Sequence, residues 1–241
     1  MTTYRLTIAY DGRAFKGWQR HPGQPTVQGA LEAALLETTG VRAAVEGAGR
    51  TDAGAHADAQ VASVTVPDEV VLGDLDDALP AGIRVLDTSI AADGFHARVS
   101  ARGKTYRYEI WNAAECPEDR VGRVWHIPRP LDVEAMRAAC PYFVGELDFA
   151  TFAKKPNFDR ATTVRHMRRV ELRHEAPMIT ITMCADSFLY KMVRNVVRTI
   201  VKAGEGRVDP AAIPALISAR DRKAAPGTAP ASGLYLETVH Y

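Results

Sequence analysis

Hydrophobic and polar positions alternate over residues 4–10 (Tyr-Arg-Leu-Thr-Ile-Ala-Tyr), which predicts a half-buried strand closed by the turn pair Asp11-Gly12. Val27, Ala30, Leu31, Ala34 and Leu35 then repeat at helical spacing, so residues 27–36 read as an amphipathic helix with Thr26 as its N-cap. Strands are expected over Ala59–Val66, closed by Pro67, and over Ile83–Ile90, with a short helix over Leu72–Leu79 between them. The texture repeats beyond Arg98: strand 105–111, helix 133–143, strands 167–173 and 178–184, a long helix 189–203, Pro-punctuated loops and a closing strand 234–239. The pattern predicts an α/β (α+β) protein of two strand-rich halves, residues 1–102 and 103–241. Tyr4-Arg5-Leu6-Thr7-Ile8 and Tyr106-Arg107-Tyr108-Glu109-Ile110 echo one another across that boundary.

Composition narrows the class. With 241 residues, 46% hydrophobic and 24% charged, the chain is neither disordered, collagenous nor coiled coil. No apolar run approaches the roughly 18–20 residues of a membrane span, and the N-terminus lacks the pattern of a signal peptide. Cys116, Cys140 and Cys184 are odd in number and widely spaced, which fits no disulfide framework or metal-ligand pattern. A reducing, cytoplasmic location is expected.

A net charge of +1 hides an asymmetry. Residues 1–98 hold eight basic and thirteen acidic side chains, net −5; the remainder holds 22 and 16, net +6. Lys154, Lys155, Arg160, Arg165, Arg168, Arg169 and Arg173 face only Asp159 and Glu171 in that stretch. In the helix over 189–203, Lys191, Arg194, Arg198 and Lys202 follow at spacings of three, four and four, opposite an apolar side of Met192, Val193, Val196, Val197, Ile200 and Val201. With no acidic residue among these cations, the face is expected to meet phosphates; a solvated helix is the alternative.

The sharpest constellation is Gly47-Ala48-Gly49-Arg50-Thr51-Asp52-Ala53-Gly54-Ala55-His56-Ala57, a lone carboxylate in a loop of small residues. Small neighbours allow a tight turn and the close approach of a bulky substrate. A single Asp suits covalent attack, or stabilisation of a developing cation, better than paired acid–base work. It must stay ionised, which calls for a nearby cation such as Arg50 or Arg194. A plain turn with Asp capping its own backbone is the competing reading. His56 is either a base or a packed loop residue. The loop is not a dinucleotide fingerprint, because the third glycine and following helix are missing.

Gly49-Arg50-Thr51-Asp52-Ala53-Gly54-Ala55-His56-Ala57 resembles the signature of the TruA family of tRNA pseudouridine synthases. Four further segments resemble that family in order: Tyr10-Asp11-Gly12 with Phe15, Gly17-Trp18-Gln19 and Thr26-Val27-Gln28; Phe95-His96-Ala97-Arg98 with Lys104-Thr105-Tyr106-Arg107-Tyr108; Phe188 to Asn195; and Ala229 to Leu236. Ala55, Val99 and Ser232 stand where the family favours Val, Phe and His, all changes of packing scale.

The resemblance implies a pseudouridine synthase fold, two similar α/β halves sharing an extended, mostly antiparallel sheet with a central RNA-binding cleft. It implies isomerisation of uridine at positions 38, 39 and 40 of the tRNA anticodon arm, by a cytoplasmic homodimer without cofactor or metal. Asp52 would be the catalytic carboxylate and Arg194 its paired cation. Arg50 would support the loop and intrude where the base was stacked, and Tyr106 would stack on the target uracil. Phosphate contacts are expected from Lys191, Arg198, Lys202, Arg165 and Arg168. A non-catalytic tRNA-binding protein and a hydrolase with an Asp nucleophile are the alternatives; the latter lacks the extra carboxylates that would hold Mg²⁺.

Overall fold

The computed structural model describes residues 1–154 and 162–241; Lys155 and Arg160 of the basic stretch lie outside them. The chain forms two compact units, Met1–Arg102 with Tyr235–Tyr241, and Gly103–Leu234. The closing strand, grouped by chain order with the second half, therefore packs in the first. Its Tyr235 and Leu236 pair with His56 and Ala57 far upstream.

The first unit contains β1 (Thr2–Tyr10), α1 (Val27–Thr39), β2 (Val45–Gly47), β3 (His56–Val66) and β4 (Ile83–Ile90), completed by the last strand of the chain. β1 runs antiparallel to both β3 and β4, with Leu6 opposite Ala62 on one side and Thr88 on the other. Tyr4, Leu6, Ile8 and Tyr10 all point into the core, as the alternation predicts. α1 buries Val27, Leu31, Ala34 and Leu35, and the Thr26 hydroxyl caps it by accepting from the Gly29 amide at 3.3 Å. The helix outruns its apolar stripe by a turn. Thr38 and Thr39 hydroxyls bond back to Ala34 and Leu35 carbonyls, and Gly40 ends the helix at φ +71°.

The helix expected over 72–79 shrinks to one 3-10 turn, Asp76–Ala78. Asp74 accepts from the Asp76 amide at 2.9 Å, a local side-chain bond that competes with a helix, and Asp76 ties the turn to β4 by accepting from the Val85 amide at 2.7 Å.

The second unit contains β5 (Gly103–Trp111), β6 (Trp125–His126), α2 (Val133–Ala139), β7 (Gly145–Asp148), β8 (Val164–Glu175), β9 (Met178–Ala185), α3 (Met192–Gly204) and α4 (Ile213–Ser218); β10 (Leu234–His240) follows them. β5, β9, β8 and β7 adjoin in that order, all antiparallel, with β6 parallel to β5. Thus each unit is α/β with a mostly antiparallel sheet. α2 ends at Ala139 rather than 143, because Pro141 lacks the amide a further α-turn needs; Cys140–Phe143 continues as a 3-10 turn. α3 starts at Met192, not 189, because Lys191 adopts φ +64°, outside the right-handed helical region.

Candidate active site

Asp52 lies on the loop between β2 and β3, half-buried, with the exposed Arg50 two residues earlier. The loop is fastened at many points. The Ala48 amide donates to the Val61 carbonyl at 2.7 Å, and Gln60 Nε2 donates to the Gly49 carbonyl at 2.8 Å. The buried Thr51 hydroxyl meets the Tyr10 phenol at 2.7 Å, and its carbonyl accepts from the Trp18 amide at 3.2 Å. A turn closes beneath the carboxylate, where the Ala55 amide donates to the Asp52 carbonyl at 3.1 Å. Burial pushes the Tyr10 phenol up to about 12, partly offset by its hydrogen bond to Thr51. The hydroxyl therefore keeps its proton at every physiological pH.

The Tyr10–Gln19 segment forms the back wall of this loop, and glycines allow the close approach. A Cβ on Gly12 would sit 2.1 Å from the Ala55 carbonyl oxygen. Gly17, at φ +97°, would bring one to 2.8 Å from the Thr51 carbonyl oxygen. Gly47 lies under the Trp18 indole, where a Cβ would come within 2.5 Å of the ring. His56 is buried, stacked on Tyr235 with centroids 4.6 Å apart, and its Nδ1 accepts from the Gly12 amide at 3.0 Å. That ring braces the wall, so of the two readings for His56 the packed one holds. The supporting roles of Tyr10, Trp18 and Gln60 escape a one-dimensional reading. The first two sit inside the opening motif, but their contacts to the Asp loop span more than thirty residues of chain.

In the second unit, Tyr106 on β5 is 7% exposed and meets the Phe188 ring edge-on at 5.0 Å. Tyr106, Tyr108 and Ile110 are all buried, as their spacing predicts. Arg194, on the first turn of α3, donates from Nε to the Ala229 carbonyl at 2.7 Å, while the Ala229 amide donates to the Arg194 carbonyl at 3.0 Å. This double clasp joins two of the segments singled out in the sequence and sets the guanidinium's direction. Next to it Asn195 is fully buried. Its Nδ2 donates to the Phe152 carbonyl at 2.6 Å, and its Oδ1 accepts from Thr228 at 2.6 Å and Arg222 at 3.3 Å. Burial raises the Tyr108 phenol well above its ordinary value despite the nearby charges of Arg194 and Arg198. It donates to the Pro230 carbonyl at 2.7 Å.

Residues 139–241 match the family model described as tRNA pseudouridine synthase. Over its whole length the chain is 42% identical to tRNA pseudouridine synthase A of Rhodopseudomonas palustris (strain HaA2), covering all of both chains. It is 41% identical to the protein of that name from Methylacidiphilum infernorum (isolate V4), over 99% of this chain and 95% of the relative. Identity to tRNA pseudouridine synthase A 2 of Clostridium perfringens (strain 13 / Type A) is 38% over the full length of each. The chain belongs to the tRNA pseudouridine synthase A family. It is an isomerase of the pseudouridine synthase fold, and its substrate is tRNA.

For a tRNA pseudouridine synthase the open question is which cations are placed for phosphate. Here the structure corrects the sequence. The row on α3 is relieved by an acid after all: Lys202, only 8% exposed, hydrogen-bonds Glu205, which also lies 3.8 Å from Arg198 and 3.5 Å from Arg207. Burial pushes the Glu205 carboxyl up, but the Lys202 hydrogen bond and the three surrounding cations outweigh it and hold the group below its ordinary range. Lys202 is thus a structural cation. Arg198 is half-buried with its guanidinium 5.2 Å from the Trp125 ring centroid. The stretch on β8 is divided as well. A bulge between Met167 and Arg169 shifts the register, so Met167 before it and Val170 and Leu172 after it all face inward. Arg168 sits at the bulge with Nη1 against Gly103, and Arg165 Nη1 donates to the Thr162 and Val164 carbonyls.

Proposed function

We propose that this protein converts uridine to pseudouridine at positions 38, 39 and 40 of the anticodon arm, with Asp52 as catalytic carboxylate. The observation that carries the reading is the fastening of the Asp52 loop. A carboxylate set on a loop bonded to β1, β3 and the Tyr10–Gln19 wall keeps a fixed direction, which a surface turn does not need. Pseudouridine formation breaks the N1–C1′ bond, turns the uracil and joins C5 to C1′. C5 loses its proton and N1 gains one, so substrate and product contain the same atoms and the same electrons. The steps call for a group that stabilises or captures the sugar and base fragments, a surface that holds the loose uracil, and a proton acceptor at C5.

Asp52 takes the first role, with Arg194 as the cation that keeps it ionised. Tyr106, held edge-on by Phe188, supplies the stacking surface for the uracil on this reading and takes part in removing the C5 proton. Arg50, exposed beside Asp52, fills the place vacated by the extruded base. Extrusion costs a few kcal/mol, offset by phosphate contacts from cations including Lys191, Arg198, Arg165 and Arg168. The enzyme works as a cytoplasmic homodimer on this reading, which light scattering of the purified protein checks.

The test is an unmodified tRNA transcript carrying tritium at uridine C5. Wild-type protein releases tritium, and carbodiimide-blocked primer extension stops in the anticodon arm. Asp52→Asn abolishes release while retaining tRNA binding. Release near the wild-type rate from Asp52→Asn removes that carboxylate from the mechanism; binding without release by the wild type favours the tRNA-binding reading instead.

A further inference from the structure

Tyr190 lies in the connection from β9 to α3, two residues beyond the Phe188 that packs on Tyr106, and is 55% exposed. Two ammonium groups rest on its ring: Lys191 Nζ lies 5.4 Å and Lys154 Nζ 5.7 Å from the centroid. These side chains come from different parts of the chain and are brought together by a backbone bond, the Lys154 amide donating to the Tyr190 carbonyl at 3.0 Å. Both flanks are rigid. Lys154 follows the buried Phe149, Phe152 and Ala153, and the Phe152 carbonyl is held by Asn195. Lys191 is pinned at φ +64°, a conformation unfavourable for a side chain with a Cβ, and its carbonyl accepts from the Asn195 amide at 3.0 Å. Among the described residues neither ammonium is in an ion pair, unlike Lys202. An exposed aromatic ring that orders two cations, with no ion pair to either among the described residues, is a surface for a phosphodiester.

We propose that Lys154, Tyr190 and Lys191 form a phosphate clamp for the RNA backbone next to the extruded uridine. The two ammoniums bind the phosphate oxygens and the Tyr190 ring fixes where they stand. The proposal rests on the tRNA reading above and joins Lys154 of the basic stretch to Lys191 through Tyr190, to which the sequence patterns assigned no role. Within the row of the α3 segment, Lys202 is paired with Glu205, whereas Lys191 shares the Tyr190 ring with a cation from a separate segment.

The experiment measures binding of the unmodified tRNA transcript from about 50 to 200 mM salt, for wild type and variants whose circular dichroism is unchanged. Tritium release by the wild type is followed in the same buffers. The double variant Lys154→Gln/Lys191→Gln loses about 1.5 from the slope of log affinity against log salt, as expected for two lost phosphate contacts. Tyr190→Leu weakens binding about threefold, the scale of an exposed cation–π contact, whereas Tyr190→Phe binds as the wild type does. An unchanged slope in the double variant overturns the clamp, and so does Tyr190→Phe behaving like Tyr190→Leu. If wild-type tritium release persists in either case, the clamp fails alone and the tRNA reading stands. A wild type that neither binds the transcript nor releases tritium overturns both.

Discussion

The Tyr10–Thr51 hydrogen bond offers a direct test of what holds the Asp52 loop. Tyr10 is 4% and Thr51 7% exposed, and their oxygens lie 2.7 Å apart. Tyr10→Phe leaves the Thr51 hydroxyl buried without that partner, a loss of about 1–3 kcal/mol. At about 1.5 kcal/mol, a protein of this size melts roughly 3–6 °C lower. Thr51→Val takes one partner from the phenol, which keeps its hydrogen bond to Gln60. The double variant removes both polar groups and keeps the shape, so its cost is expected near that of one single variant rather than their sum. Because Thr51 precedes Asp52 directly, Tyr10→Phe also slows tritium release by about tenfold; a misplacement on the ångström scale is worth up to roughly a hundredfold. Thermal melts followed by circular dichroism, with tritium release on the same samples, complete the cycle. Single-variant costs that add to within about 0.3 kcal/mol show that the two oxygens are not coupled, and refute the argument. There is a pH signature too. The phenol's folded value, about 12, lies above its unfolded one, so its stabilisation is whole below about pH 10 and is lost as pH rises towards 12. Tyr10→Phe lacks this share of the alkaline loss.

Gly12→Ala places a methyl 2.1 Å from the Ala55 carbonyl oxygen, so backbone must move. A stability loss above about 2 kcal/mol by urea unfolding, with loss of tritium release, is expected; a neutral outcome contradicts the tight packing of wall on loop. Glu205→Gln removes the acid that neutralises the buried Lys202, costing about 1–3 kcal/mol at neutral pH. The Glu205 carboxyl is depressed in the folded state, so its contribution is present above about pH 4.3, the unfolded value, and is lost as pH falls through the lower folded one. Acid titrations of stability therefore differ most between wild type and variant at neutral pH and converge at low pH. A constant gap down to pH 2 excludes the charge interaction as the cause.

Local pattern carried much of this protein. β1, β3, β4, β5, β8, β9, α1, and the core of α3 lie where alternation or helical spacing places them, because each buries one face and burial selects the period. β2, β6 and β7 escape notice because two to four residues are too short to show a period. Asp74 shows how a side-chain bond to backbone competes with a helix that the apolar spacing suggests, and Asp76 how a tertiary bond to β4 holds the turn instead. The Asp52 loop was legible as chemistry because a lone carboxylate among small residues is an uncommon combination.

Tertiary structure decided everything that depends on distant chain segments. Helical spacing places Lys202 on the cationic face, but burial and the later residue Glu205 make it structural, since a cation withdrawn from water needs a counter-charge. A single bulge in β8 changes which arginines share a face, and a one-residue shift is invisible in a charge count. The closing strand belongs to the first unit because hydrogen-bond pairing with β3 outweighs proximity along the chain. Lys154, Tyr190 and Lys191 meet through one backbone hydrogen bond between two loops. Sequence by itself determined most of the elements and marked the Asp52 loop, whose causes are local; packing alone determined that Lys202 is neutralised inside the protein while Lys154 and Lys191 meet at one exposed ring.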